Sequence, residues 1–246
     1  GTAAAEGFPA MFCKCEHCEK ARRLGGKNLR TRSQALIDDT LLIDFGPDTL
    51  FHTMFYGLDL TKVTDLLITH CHRDHLYVSD FENRKEGYCV IKNKKPLNVY
   101  GTAASVNKIN GLYENNSDLN DVLNTNVIEP FKTYQIGDYS VTPLKANHSA
   151  HTDPVIYIIQ KAGKTFLYST DTGRYLPETV EFLKENKFYV VNNFKIEEGD
   201  YSILIKVGSF SNTLVFSLKE DDTFETIKNY FLLINQQKDE PKILTL

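Results

Sequence analysis

Residues Leu66-Leu67-Ile68-Thr69-His70-Cys71-His72-Arg73-Asp74-His75 constrain this chain more than any other stretch. An apolar run with strand character passes directly into His-x-His-x-Asp-His, so four metal-capable side chains emerge at the mouth of a buried strand. His70 and His72 sit two apart and project to the same side of extended chain. Asp74 and His75 follow the turn and can face a second ion nearby. Imidazoles and a carboxylate at this density suit zinc, manganese or iron better than calcium or magnesium. The competing reading is a solvated polar turn. It explains less well why three of the chain's seven histidines crowd into this box directly after an apolar strand.

The outer bounds come from size and charge. At 246 residues and 41% hydrophobic content, the chain can bury a full core as one large domain, or as one domain and a small one. A net charge of −4 argues against a general electrostatic nucleic-acid binder. No apolar run reaches the roughly 18 residues that cross a bilayer, and no signal peptide is evident. Three of the five cysteines cluster as Cys13-Lys14-Cys15-Glu16-His17-Cys18, ahead of a basic stretch from Lys20 to Arg32. Such a cluster reads as metal ligands in a reducing compartment rather than as a disulfide framework, and cytoplasm is the default location. Three thiolates at Cys-x-Cys-x-x-Cys can wrap one zinc with a fourth ligand from elsewhere, the alternative being three reduced structural cysteines. His17, held between two of the thiols, has little freedom to turn inward as that fourth ligand.

Several motifs together carry a family resemblance. Leu41-Leu42-Ile43-Asp44-Phe45-Gly46 precedes the histidine box; Lys145-Ala146-Asn147-His148-Ser149 and Leu167-Tyr168-Ser169-Thr170-Asp171-Thr172 follow it. In this order the four motifs resemble the metallo-β-lactamase superfamily, across roughly residues 1 to 191. The resemblance implies an α/β fold, an αββα sandwich. It implies that Asp44 orients the site from behind the ligands, that His70, His72 and His148 bind one ion, that Asp74 and His75 bind a second, and that Asp171 bridges the two. The opening, with Gly7-Phe8-Pro9 and the cysteine trio, resembles the PhnP-like phosphodiesterase branch, and is also similar to PqqB-like proteins. In the PhnP-like branch the knuckle holds a structural zinc. The resemblance further implies a strand just ahead of Gly1, which would then lie outside the sequence.

Elsewhere the pattern predicts a helix from Asp48, after Pro47, to Leu60 with Leu50, Phe51 and Met54 on an inward apolar face. His52 in that helix reads as a surface or capping histidine. A helix is expected over Leu76 to Arg84, a loop at Lys92 to Lys95, a strand at Leu97 to Tyr100, a helical then polar stretch over 103–126 with a loop at Asn115 to Ser117, and a hairpin from Tyr134 to Leu144 around Gly137-Asp138. The domain reading is 1–193 for the hydrolase-like part and 194–246 for a ββαβ segment. Ser202 to Val207 and Asn212 to Leu218 alternate as a hairpin about Gly208-Ser209, a helix runs from Asp222 to Ile234, and Lys242 to Leu246 closes it. That segment is similar to a ubiquitin-like β-grasp, or is a divergent end of the sandwich.

Two cations sharing one water lower its pKa towards neutrality and clamp the oxygens of a phosphate, so a small or cyclic phosphodiester is the expected substrate and zinc or manganese the expected cofactor. Asp74 belongs to that catalytic set. His151 is a candidate proton donor to the leaving oxygen or an ordinary surface histidine. Arg174 is a candidate phosphate ligand or part of a solvated loop. No histidine follows His151, whereas the resemblance implies further ones, so the second ion is expected to bind weakly. A scaffold protein with impaired catalysis and a hydrolase of thioesters or carboxylic esters remain as alternatives.

Overall fold

A computed structural model describes residues 3–91, 95–113 and 117–186, and the strands at 188–191, 202–207 and 212–217. In chain order the elements are α1 (Glu16–Leu24), β1 (Ala35–Ile37), β2 (Leu41–Ile43), α2 (Thr49–Tyr56), β3 (Asp65–Leu67), β4 (Leu97–Gly101), α3 (Ala103–Tyr113), β5 (Leu123–Val127), β6 (Tyr134–Ile136), β7 (Tyr139–Lys145), β8 (Val155–Lys161), β9 (Lys164–Tyr168), α4 (Pro177–Glu185), β10 (Phe188–Val191), β11 (Ser202–Val207) and β12 (Asn212–Ser217). The first sheet runs β1-β2-β3-β4-β5, with β1 antiparallel to β2 and the rest parallel. The second is the antiparallel meander β6-β7-β8-β9. A third group pairs β10 parallel and β12 antiparallel to β11.

Strand alternation builds the layers. Successive side chains point to opposite faces of a sheet, so a strand buried on both faces reads as a continuous apolar run. Leu41, Ile43 and Leu67 of the first sheet meet Ile136, Val141, Val155, Tyr157 and Ile159 of the second, forming the core between the sheets. Their neighbours Leu42 and Leu66 face the other way, with Val99, onto Ile109 of α3 and onto Phe81. On the opposite flank, Leu144, Ile156, Ile158 and Leu167 pack on Leu183 of α4. Helix, sheet, sheet and helix thus stack as αββα. Among the described residues, no helix is long and apolar enough to cross a membrane.

Three local expectations need correction. The segment before the first sheet's middle is helical only over Thr49–Tyr56, closed by Gly57 in the left-handed conformation that glycine tolerates. Its orientation is the reverse of the expected one: Leu50, Phe51 and Met54 are exposed, while Thr49 and His52 are buried. His52 is therefore no surface histidine. Its Nδ1 lies 2.5 Å from Gln34 Oε1 and its Nε2 lies 2.7 Å from Thr31 Oγ1. Gln34 Nε2 in turn donates to the Asp44 carbonyl and to Thr49 Oγ1. That fixes Oε1 as the acceptor facing His52, so the ring donates from Nδ1. Asp48 spends its carboxylate on Arg32, at 2.6 Å, rather than on capping the helix. Over Leu76 to Arg84 the chain forms a 3₁₀ turn, Val78–Arg84, that drops Phe81 into the core against Phe45, ring centroids 4.7 Å apart. The polar stretch after α3 ends in β5, whose Leu-Asn-Thr-Asn-Val sequence suits a sheet edge.

The hairpin expected at Tyr134 to Leu144 is present as β6 and β7, and β11 and β12 pair antiparallel in the expected hairpin. The later helix and closing strand, and most of the loops at Lys92 to Lys95 and Asn115 to Ser117, lie outside the described residues.

The segment after β2 braces the loop after β3. Phe45 donates its N–H to the His75 carbonyl and accepts from Tyr77 N–H, both at 2.7 Å. Gly46 lies so close beneath this loop that a Cβ there would collide with the carbonyl oxygen of Asp74. Backbone cannot yield as a side chain does. Gly46→Ala is expected to destabilise the protein by about 2–3 kcal/mol, as overpacking does. Gly111→Ala in α3, where nothing lies within 4 Å, should instead stabilise it by roughly 0.5–1 kcal/mol. Urea unfolding of the two variants checks both signs.

Burial pushes the His52 imidazole down, against the opposing charge of Asp48. A histidine whose folded value lies below its unfolded value, about 6.5, contributes stability that is complete above that pH and is lost as pH falls through it. Unfolding of parent and His52→Gln at about pH 8 and about pH 5.5 should show the parent's advantage shrinking in acid. An equal gap at both would mean that His52 does not titrate on folding.

Candidate metal centre

β3 is flanked by parallel partners on both sides, and its carboxyl end opens where the loops after β2, β3, β7 and β9 converge. Ile68, Thr69 and His70 continue the buried run past the end of the ladder. Asp44 leaves β2 with φ of 64°, a left-handed conformation that aspartate adopts more readily than most residues. Fully buried, its carboxylate accepts from Thr69 N–H at 2.8 Å, from Thr69 Oγ1 at 2.9 Å, and from His75 Nδ1 at 2.7 Å. This last bond assigns the His75 tautomer and turns Nε2 outward. Nε2 then lies 2.9 Å from Asp171 Oδ2 and 3.4 Å from Asp74 Oδ2.

On the other side of His70, its Nε2 lies 3.0 Å from His72 Nδ1, which is 3.1 Å from His148 Nε2. Ligands about 2.0–2.1 Å from a tetrahedral ion sit about 3.3 Å apart, so these nitrogens are spaced as one ion's donors would be. His70, His72 and His148 form one group that could hold a metal, and His70, His75 and Asp171 form another. Asp171 Oδ2 lies 3.8 Å from His70 Nε2, so the groups adjoin. Asp171 also has positive φ, 46°.

The charge states fit a cation. Burial first, then the neighbouring His75, pushes His70 down to about 3, and burial and His148 push His72 down. Both imidazoles are neutral, the form that ligates. Burial alone would lower His75 as well; Asp44, Asp171 and Asp74 outweigh it and raise the ring to about 12. Asp74 is raised by its burial but held at about 2 by the hydrogen bond and charge of His75. Asp171, only partly buried, is raised by that burial but lowered on balance by His75. Three carboxylates around one imidazolium is an arrangement that a bound cation would satisfy as well, His75 then giving up its Nε2 proton.

Two residues that the sequence reading missed hold the ligand loops. Asn147 accepts at its carbonyl from Gly173 N–H, donates its backbone N–H to Thr172 Oγ1, and donates from Nδ2 to the Arg174 carbonyl, all within 3.0 Å. It therefore ties the loop of His148 to the loop of Asp171. Lys108 Nζ donates to the Cys71 carbonyl at 2.5 Å and the Leu76 carbonyl at 3.4 Å, pinning both ends of the histidine loop. The adjacency of Asn147 to His148 was the only sequence signal for either.

His151 is exposed on a turn, its ring centroid 6.0 Å from that of His72. Arg174 is exposed, its carbonyl held by Asn147 beside His148. The Cys13, Cys15 and Cys18 thiols lie within 4.8 Å of one another and could hold a metal of their own. His17 is exposed and is not part of that group. All five cysteines are free.

Comparison with known proteins agrees with this architecture. A family model described as the beta-lactamase superfamily domain matches residues 39–206. Exodeoxyribonuclease WalJ of Streptococcus pneumoniae serotype 2 is 25% identical over 146 residues, covering 59% of this chain and 48% of that protein. This chain thus spans about half the length of the curated relatives it matches. Among solved structures, zinc-bound PqqB from Methylobacterium extorquens superposes with a TM-score of 0.60 at 18% identity, covering 77% of this chain and 70% of that one. The metallo-beta-lactamase fold protein YhfI from Bacillus subtilis gives 0.51 at 20% identity, covering 65% and 64%. With the family match spanning most of its length and an αββα sandwich around it, the chain belongs to the metallo-β-lactamase superfamily.

Proposed function

We propose that this protein is a cytoplasmic, metal-dependent hydrolase that cleaves small or cyclic phosphodiesters. One observation carries the reading: two adjoining donor groups share His70 at a mouth where His72 and His148 reach solvent. Two divalent ions held there supply a nucleophile from water near neutral pH and a clamp on the non-bridging phosphate oxygens. Zinc or manganese suits the mixed imidazole and carboxylate set.

The chain's own residues do the remaining work. Asp44 keeps His75 in the tautomer that faces the second position, and Asp74 and Asp171 supply its carboxylates. His151 stands at the rim, in position to hand a proton to a leaving oxygen. Arg174, rooted beside Asp171 and exposed, suits a phosphate oxygen. The cysteine trio is assigned a structural zinc, as in the PhnP-like branch. A second reading, a DNA strand end as substrate, draws on the likeness to WalJ, which is an exodeoxyribonuclease. The net charge of −4 weighs towards the smaller substrate.

With His70 committed to the first ion, the second is left with His75 and the carboxylates of Asp74 and Asp171, so its ion is expected to exchange readily. Hydrolysis of a chromogenic phosphodiester should start low and rise with added manganese or zinc, and His72→Ala should lower it by about 100-fold or more and lose bound metal. A flat zero at every metal concentration would favour the scaffold alternative, and turnover of a thioester instead would move the reaction to carbonyl attack. Faster degradation of a single-stranded DNA oligonucleotide than of a cyclic nucleotide would favour the second reading.

For the knuckle, elemental analysis of Cys15→Ala should show one zinc fewer per chain than the parent, with the histidine-bound metal retained. With three strong ligands, the parent's knuckle should yield its zinc to a chelator faster than a closed four-ligand site does. Identical metal content in parent and variant would remove the structural zinc.

A further inference from the structure

α2 is inverted relative to a solvent-facing helix. Its polar side, Thr49 and His52, is buried and hydrogen-bonded to Gln34 and Thr31, while Leu50, Phe51, Met54, Phe55 and Tyr56 lie outside at 64%, 40%, 67%, 63% and 62% exposure. A helix on the surface ordinarily does the opposite. These side chains form one patch: Phe51 stacks on Phe55 at 4.5 Å and meets Tyr56 edge-on at 5.5 Å. The patch is also rigid. The Arg32–Asp48 ion pair anchors the start of the helix, and the Gln34 network fixes its inner face.

We infer that this face of α2 is the contact surface of a symmetric dimer, packing against the same helix of a second copy. The first argument is area. With side chains of roughly 150–250 Å² each, exposures of this size add up to about 500 Å² of apolar surface, which is at the upper end of what a monomer leaves uncovered. Flanking residues would bring it towards the ~800 Å² that each partner contributes to a specific interface. The second argument is charge. The helix Thr-Leu-Phe-His-Thr-Met-Phe-Tyr contains no Asp, Glu, Lys or Arg. Its nearest carboxylates are already engaged, Asp48 by Arg32 and Asp59 by Thr61 and Lys62. A two-fold contact places groups near its axis opposite their own copies, so an uncompensated charge there would repel itself; a neutral patch rich in Phe, Met and Tyr does not. An anionic lipid surface would call for Lys or Arg beside the apolar side chains, and the helix has none. The dimer is independent of the reaction assigned to the metal centre.

Sedimentation equilibrium of the protein over a concentration series is expected to show a reversible monomer–dimer step. Phe55→Glu and Phe55→Lys should each be monomeric, because each sets like charges against one another across the axis. Mixing the two in equal amounts should restore a dimer. Unchanged circular dichroism and melting would show that these exposed substitutions leave the fold intact, and Met54→Lys provides a second disruption if one of them does not fold. A parent that stays monomeric up to about 100 µM, well above the dissociation constants of specific interfaces, would overturn the inference. So would variants that remain dimeric, or a mixture that does not reassociate.

Discussion

The carboxylate of Asp44 is the constraint on which the rest of the site depends. A fully buried charge survives only when its lone pairs are matched, and Asp44 matches them with Thr69 N–H, Thr69 Oγ1 and His75 Nδ1. Those partners fix the first residues after β3 and the tautomer of a ligand at once. The parallel register of β2 and β3, Ile43 opposite Leu67, sets Asp44 beside Thr69. Shifting that register by one residue would turn Leu41 and Ile43 out of the core between the sheets and carry Asp44 off His75 with them. Fold and chemistry are bound by the same pairing.

The site also exists only when the sandwich is closed. His70, His72, Asp74 and His75 come from the first sheet, His148 and Asp171 from the second. The two halves meet across Asp171 and His75, and the second sheet's loops are joined to each other through Asn147. The buried Tyr157 hydroxyl reaches from β8 to the Ile68 carbonyl at 2.6 Å, directly behind His70. Donors gathered from both sheets make cation binding and sheet closure mutually reinforcing, since an unfolded chain offers no comparable set.

What could be read from the sequence follows from what alternation and spacing encode. The apolar runs at Leu41 to Ile43 and Leu66 to Ile68 announced strands buried on both faces, and the alternation around Gly137-Asp138 announced the β6–β7 hairpin. The histidine box showed which side chains would be close together, because two-residue spacing survives the end of a strand. The orientation of α2 was not legible. Helical spacing says which residues share a face, not which face turns inward, and here the inward face is set by Gln34, fifteen residues before Thr49 in the chain. β5 was missed because Leu-Asn-Thr-Asn-Val lacks the apolar pattern of a central strand, as an edge strand can. Lys108 and Asn147 act largely through backbone groups, which leave no motif. Gly46 carried a signal within the Asp-Phe-Gly motif, but its reason, the Asp74 carbonyl above it, is a tertiary contact.

On the proposed reading, charge also selects the substrate. Without metal, the carboxylates of Asp44, Asp74 and the partly buried Asp171 are balanced in part by a protonated His75, while His70 and His72 stay neutral. Two divalent ions would bring four positive charges to three carboxylates and release the His75 proton, and the hydroxide they draw from water would cancel the remaining charge, so the loaded centre is close to neutral overall. A phosphodiester would present two anionic oxygens directly to those ions, and its transition state concentrates charge on the oxygens closest to them. A neutral thioester would present a single carbonyl oxygen, uncharged before reaction, to the same pair. The exposed Arg174 would add positive charge for the same oxygens without adding a charge to the buried centre. On this reading it is the clamp of two ions on two anionic oxygens, rather than the net charge of the centre, that favours an anionic diester over a neutral acyl compound.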